Sequence, residues 1–359
     1  MTRINFAVVG TGAMATRMMD TFKRAKIHVV AIVSHDIERA RTFAARFNVP
    51  ICDSNLSAVL ARSDVDAVYV ANAAREHSMV CIAALEAGKA VLCEKPIALC
   101  LADAQRVAEV ARSTRMLCME GLWTLFLPAY QRFFETANSG AWGTAGSLVA
   151  DFGYPRSGEI APRTERGDFE GVLLDRGVYL IALSLRLFGA VQRVHAGLRI
   201  SAYGDEEAFL QLLHDNGNHS QLAMSFTSLM SNTATLHCSE GLIQLQYPLI
   251  GSEGILTARH PKTSPLPETV REPSLRMKAL KKLREFPLLR RVNRGLRRTG
   301  SESLPYGRDQ YLPQVEHFVA LLRAGAHESE VVPLEFSLDV QRVIESVRAA
   351  HSRSSQERT

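Results

Sequence analysis

The chain has 359 residues, 47% hydrophobic and 22% charged, a soluble balance with length enough for two domains and a real core. No apolar run reaches the roughly 18 residues needed to span a bilayer, and the opening "MTRINFAVVGTGAMA" lacks a clear basic leader region, so it reads as a strand and the expected location is the cytoplasm. Net charge is +5, but residues 271–298 alone hold 11 Lys/Arg against 2 Glu, which is +9; the rest of the chain is then about −4 (5 − 9), which excludes a global polyanion-binding surface.

The six cysteines form no CxxC pair and no metal-ligand spacing, so they read as thiols of a reducing compartment, and no metal is expected. "INFAVV" is a buried parallel strand ending at Gly10. "GTGAMA" follows, and then a helical pattern through Met18, Met19 and Phe22. This is G-x-G-x-x-A at a strand-to-helix turn. Gly10 permits the turn, Gly12 admits a pyrophosphate, and Ala15 keeps the helix close to the sheet. Alone the motif is a tight turn. At this point of a strand–helix unit it predicts dinucleotide binding, with Thr11, Ala13 and Met14 completing the loop. "HVVAIV", "VDAVYVA" and "KAVLCE" are further strands, with "IERARTFAARF" and "HSMVCIAALEAG" as helices between them. Alternating strand and helix predicts a doubly wound parallel sheet, the Rossmann arrangement, over residues 1–122.

After strand two, Ser34 stands where an acidic residue would bind a ribose 2′-hydroxyl, with His35 and Arg39 nearby. These groups suit a 2′-phosphate and favour NADP over NAD. Asp36 reads as the N-cap of the next helix. Glu94, Lys95 and Pro96 end a buried strand at the sheet edge beyond which ligands bind. By itself such a Lys is a solvated charge.

"GVLLDRGVYLIALSLRLFG", 171–189, is apolar almost throughout, yet carries Asp175 and Tyr179 four apart with Gly177 between. The spacing puts acid and phenol on one helical face, with room for close approach at Gly177. Spacing alone favours a helix cap and a core phenol. Beyond residue 190, "VQRVHAGLRISAYG", "QLAMSF" and "GLIQLQYPL" read as strands, followed by helices over "DQYLPQVEHFVALLRAG" and "PLEFSLDVQRVIESVRAA".

Taken together, "GTGAMA", "DAVYVA" with His77, "AGKAVLCEKP", "MEGLWTLFLPA", "LLDRGVY" and the two final helices resemble the Gfo/Idh/MocA oxidoreductases from Ile4 to about His351. The resemblance implies an α+β domain over 123–359 with an open, mostly antiparallel sheet; a basic insertion at about 262–305 stands outside the family pattern. It implies a subunit partner on that sheet, as a homodimer or homotetramer. It also implies that Lys95, Asp175 and Tyr179 are the catalytic set of the tyrosine branch, with Tyr179 moving the proton while hydride passes between nicotinamide and a ketone or secondary alcohol of a sugar, cyclitol or diol. A nearby ammonium should lower the phenol pKa from its usual ~10. Asn72, His77, Glu94 and Pro96 join the cofactor contacts; Trp123 and Arg176 join the substrate contacts. Trp123, Phe152 and Tyr154 are candidates for lining the pocket, and each reads as core more readily than as pocket.

Several positions depart from the family pattern: "NAA" at Asn72–Ala74, Leu125 for an arginine, Glu170-Gly171 for Gly-Gly, and Arg176 for an aliphatic residue. These leave open a cofactor-binding sensor or scaffold that has lost turnover. Segment 271–298 leaves open membrane-surface or polyanion contact, although a solvated insertion is the simpler reading. No nucleic-acid-binding motif accompanies it.

Overall fold

Residues 4–156, 171–202, 204–259 and 299–356 are described in the computed structural model. The basic segment 271–298 and Glu170 lie outside them. Six strands, β1 (Asn5–Val9), β2 (His28–Val33), β3 (Ile51–Asp53), β4 (Ala67–Val70), β5 (Ala90–Cys93) and β6 (Cys118–Glu120), form a sheet in the order β3-β2-β1-β4-β5-β6. All its pairings are parallel. β1, β4 and β5 are apolar on both sides because helices cover both faces. The crossovers are α1 (Ala13–Arg24), α2 (Ile37–Phe47), the short α3 (Leu56–Leu60), α4 (His77–Glu86) and α5 (Leu101–Thr114). The Asp36 carboxylate accepts from Glu38 N at 2.9 Å and Arg39 N at 3.2 Å, so it caps α2 as its sequence position requires.

A 3-10 turn at Trp123–Phe126 and α6 (Pro128–Asn138) lead into the second sheet. Its strands are β7 (Ala145–Gly153), β8 (Val191–Ser201), β9 (Gly204–His214), β10 (His219–Ser225), β11 (Ala234–Cys238), β12 (Gly241–Leu245), β13 (Gly254–Arg259) and β14 (Thr299–Ser303). Their order is β14-β13-β12-β11-β7-β10-β9-β8, antiparallel except for β7 beside β10. The basic insertion therefore ends earlier than the expected 305: residues 299–303 pair with β13. On the inner face Leu148, Leu210, Leu222 and Leu236 are buried under α6 and α7 (Val178–Phe188). On the outer face Val149 and Phe209 are exposed.

Of the last two helices, α8 (Leu312–Ala324) packs on the first domain against α1, and α9 (Leu334–Gln356) spans both, meeting α5 and β6 of the first and β8 and α7 of the second. Phe318 of α8 sits 5.9 Å from the Phe6 ring of β1, and Leu334 and Leu338 of α9 share a core with β5 and α5. α9 also fastens the backbone after Lys95. Gln341 Nε2 donates to Ala98 O at 3.0 Å, and the Leu101 N–H donates to Glu345 Oε1 at 2.9 Å. No helix among the described residues is long and apolar enough to cross a membrane.

Candidate active site

The turn between β1 and α1 opens a cleft of about 570 Å³ along the C-terminal edge of the parallel sheet. Gly10 holds φ at +110°, and a Cβ there would stand 2.4 Å from Ala71 O, so only glycine fits. Gly12 is different: nothing lies within 4 Å of where its Cβ would be, which leaves open space over the α1 N-terminus. Thr11, Ala13 and Met14 line the same space. Ser34, His35 and Arg39 line the cleft at the β2 end, as the sequence predicts, and Asn72, His77, Glu94 and Lys95 line it further along.

The residues present fit a dinucleotide. Thr11 Oγ1 and Asn72 Oδ1 are buried without a hydrogen-bond partner among the described residues, and both residues line the cleft. Buried polar atoms of this kind are normally satisfied, so a ligand able to bond them suits the space. His77 bridges the two loops: one ring nitrogen lies 2.7 Å from Pro96 O and the other 3.3 Å from Asn72 O. The contribution of Pro96 is that carbonyl, and its ring does not line the cleft. The Tyr69 hydroxyl donates to Glu94 at 2.6 Å, and burial raises the Glu94 pKa above the usual carboxylate range.

Residues 173–177, "LLDRG", are a π-helical turn that passes directly into α7. Such turns often mark functional positions, and sequence periodicity does not reveal them. Asp175 lies within this turn and meets Lys95 across the cleft. Lys95 Nζ donates to Asp175 Oδ1 at 2.6 Å and to its main-chain oxygen at 2.9 Å. The Lys95 ammonium also lies 5.3 Å from the centroid of the Tyr179 ring, and Trp123 Nε1 donates to the Tyr179 hydroxyl at 3.0 Å. Lys95, Asp175, Tyr179 and Trp123 are thus brought together. Lys95 and Asp175 line the cleft, whereas Tyr179 and Trp123 stand in the wall behind them.

Three expectations need correction. Burial raises the Tyr179 pKa, and the opposing charge of Lys95 does not overcome it, so the phenol ends above its ordinary value rather than below. Arg176 is not at the substrate face. Neighbouring helical residues point roughly 100° apart, so Arg176 turns away from Asp175. Its guanidinium lies 3.8 Å over the Tyr154 ring, and Nη1 donates to Tyr154 O and Ser225 O. At Gly177 the close neighbour is Met224 of β10, whose sulfur would be 3.0 Å from an added Cβ. Phe152 is core; Tyr154 is half exposed and outside the cleft lining.

Sequence reasoning misses Arg156. It lines the cleft just beyond β7, and its Nη2 donates to Asp175 Oδ2. A lone arginine in "DFGYPR" carries no periodic or motif signal. Burial disfavours the Asp175 carboxylate, but the charges of Lys95 and then Arg156 outweigh it and bring its pKa down to about 2.

Comparison with known proteins identifies the family and the fold. Sequence models described as "Oxidoreductase family, NAD-binding Rossmann fold" and "GFO/IDH/MocA C-terminal domain" match residues 4–122 and 130–244. The trans-1,2-dihydrobenzene-1,2-diol dehydrogenase of Mus musculus is 27% identical over 353 residues, and that of Homo sapiens 26% over 354 residues, each alignment spanning 97% of this chain and 96% of the relative. KijD10, a 3-ketoreductase from Actinomadura kijaniata solved with NADP and TDP-benzene, shares the fold with a TM-score of 0.78 at 24% identity, over 97% of this chain and 98% of its own. Levoglucosan dehydrogenase solved with NADH and L-sorbose does so with a TM-score of 0.81 at 16% identity, over 98% of each chain. With both domains matched in sequence over more than half of its length, the chain belongs to the Gfo/Idh/MocA family of oxidoreductases.

Proposed function

We propose that this protein is an NADP-dependent oxidoreductase that interconverts a ketone and a secondary alcohol on a sugar, cyclitol or diol. The observation that carries the reading is the Lys95–Asp175 pair at 2.6 Å, set against the Tyr179 ring at the end of the cleft that the glycine turn opens. The named relatives act on a diol, and KijD10 was solved with NADP. Ser34, His35 and Arg39 line the β2 end, where no acidic side chain lines the cleft to repel a 2′-phosphate.

A bound nicotinamide supplies the hydride-transfer chemistry. Thr11, Gly12 and the α1 N-terminus hold the pyrophosphate, and Asn72 and Glu94 line the path toward Lys95. Lys95 orients the substrate oxygen and polarises it. Asp175 fixes the ammonium through two oxygens. Tyr179 keeps its proton at neutral pH because burial raises its pKa, so it is set to donate to the oxygen of a ketone as that oxygen gains charge. Trp123 holds the hydroxyl in one position. Donation leaves a phenolate, which the Lys95 charge stabilises until solvent returns the proton; alcohol oxidation needs that phenolate as its acceptor, so the raised pKa favours ketone reduction at neutral pH.

The sensor reading would leave no reason for Lys95, Asp175 and Tyr179 to converge. A second copy of the chain covers the outer sheet face, which exposes Val149 and Phe209. Phe209→Glu would then shift sedimentation to the monomer, and a wild-type monomer at micromolar concentration would remove that part. The test of the activity is NADPH oxidation at 340 nm across a panel of ketoses and diketones, with Tyr179→Phe alongside. Wild-type turnover equal to that of the variant would return Tyr179 to the core.

A further inference from the structure

The substrate end of the cleft carries more positive charge than the proton chemistry uses. Lys95 and Arg156 both hold one carboxylate, that of Asp175. Its Oδ1 takes Lys95 and its Oδ2 takes Arg156. Arg176 lies behind the wall and is 1% exposed, with Nε and Nη2 unpartnered among the described residues. Glu94, the other carboxylate on this part of the wall, is held by Tyr69, and its burial disfavours the charged form. At the cleft, among the described residues, the Lys95 ammonium and the Arg156 guanidinium share the Asp175 carboxylate, in a partly buried place where a charge counts for more than in water.

Arg156 is the member of this set that reaches the cleft with donors to spare. It is held from three sides. Its backbone N–H donates to Phe226 O at 2.8 Å, its guanidinium lies 4.0 Å over the Phe226 ring, and its Nη2 rests on Asp175. A guanidinium offers five N–H donors, and among the described residues Nη2 alone of the Arg156 nitrogens has a side-chain acceptor. The side chain is 21% exposed, and the residue lines the cleft beside Asp175. A planar fork fixed in this way takes a carboxylate or phosphate through two parallel bonds.

This position is not that of the cofactor's own phosphates. The pyrophosphate space is over α1, after β1, and the 2′-phosphate groups follow β2. Lys95 follows β5, which is three strands from β2, or about 14 Å at ~4.8 Å per strand spacing.

We propose that Arg156 docks an anionic oxygen group of the substrate, a carboxylate or a phosphoester, on the sugar or polyol whose carbinol carbon reacts beside Lys95. The proposal rests on the oxidoreductase reading above and narrows it to acidic or phosphorylated substrates. Arg156 acts on specificity and takes no part in the proton transfer.

The experiment measures binding rather than turnover. Full-length protein saturated with NADPH is titrated calorimetrically with three matched sets: D-glucose, D-glucuronate and D-glucose 6-phosphate; D-galactose, D-galacturonate and D-galactose 6-phosphate; glycerol, glycerate and glycerol 3-phosphate. In at least one set an anionic member should bind about tenfold or more tighter than its neutral parent, the scale of one charge-assisted contact. The carboxylate and phosphate arms tell which anion is read. In Arg156→Gln that preference should fall to near unity, and Arg156→Lys, which keeps charge without the fork, should restore part of it. No anion preference in any set, or a preference that persists in Arg156→Gln, overturns the proposal. Anion preference without hydride transfer to any ketone would leave the docking site standing and strike the oxidoreductase reading instead. Turnover of neutral ketones with no anion preference would do the reverse.

Discussion

The Lys95 ammonium lies 5.3 Å from the centroid of the Tyr179 ring, so its charge reaches the phenol through the ring face while Asp175 holds its hydrogen bonds. Two opposed effects meet on one proton: burial raises the phenol pKa and the cation lowers it. Lys95→Met removes the opposing cation. The alkaline limb of the pH–rate profile should move upward, and turnover should fall with it. Initial rates across pH measure this; an unmoved limb would mean that Lys95 does not act on Tyr179.

Tyr179→Phe removes the hydroxyl and leaves the ring against Lys95, Phe152 and Trp123. Turnover should fall by about 10² or more, the usual scale for general acid–base catalysis. NADPH affinity should stay within about twofold, because the change leaves the glycine turn and the β2 end of the cleft untouched. Combined with Lys95→Met the losses should be non-additive, since both act on the same proton.

Trp123→Phe tests the hydroxyl's other partner. The indole N–H bond to Tyr179 lowers the phenol pKa, and losing it leaves a buried hydroxyl with one contact fewer. Turnover should drop by about tenfold, less than in Tyr179→Phe, with the alkaline limb again displaced upward. An unchanged profile would reduce Trp123 to packing.

Asp175 links the site to stability. Its folded pKa of about 2 lies below the ordinary carboxylate value, so the folded protein holds its proton less tightly than the unfolded chain does. That contribution is present above about pH 4 and fades as pH falls toward 2, to a total of about 2 kcal/mol. Asp175→Asn should cost about 3 kcal/mol at neutral pH, because Lys95 and Arg156 then face each other without a counter-charge. Its stability should also vary less between pH 4 and 2. Denaturant titrations at stepped pH measure both effects; equal slopes for the two proteins would contradict the ion-pair account.

On the proposed reading Ser34 sets the choice of cofactor. NADPH should bind at least about tenfold tighter than NADH, and Ser34→Asp should reverse the order by repelling the 2′-phosphate. Fluorescence titration of both nucleotides against both proteins is sufficient. Tighter NADH binding by the wild type would sink the assignment.

Much of the nucleotide half is legible in the sequence because its signals are local. A buried strand, a glycine turn and a helix follow one another within about 20 residues, and each needs only its neighbours to be recognised. Lys95 and Asp175 are legible through the family resemblance, since alone the one reads as a solvated charge and the other as a helix cap. Arg156 is silent because its meaning lies in a partner 19 residues away, on a π-helical turn that its own stretch does not predict. Arg176 misleads because adjacency in sequence is read as adjacency in space, whereas a helix separates neighbours by roughly 100°. The sign of the Tyr179 shift is also invisible from sequence. It depends on how closely Trp123, Phe152 and Lys95 crowd the ring, which is a matter of packing.

The bonds from α9 to the loop after Lys95 have a consequence for how the protein is made. Gln341 and the Ala98 carbonyl it fastens are 243 residues apart in the chain. During synthesis the glycine turn, the sheet and Lys95 itself leave the ribosome long before either bond can form. The backbone that aims Lys95 stays without these ties until the C-terminal helix has emerged, and a chain stopped before Gln341 would lack both of them.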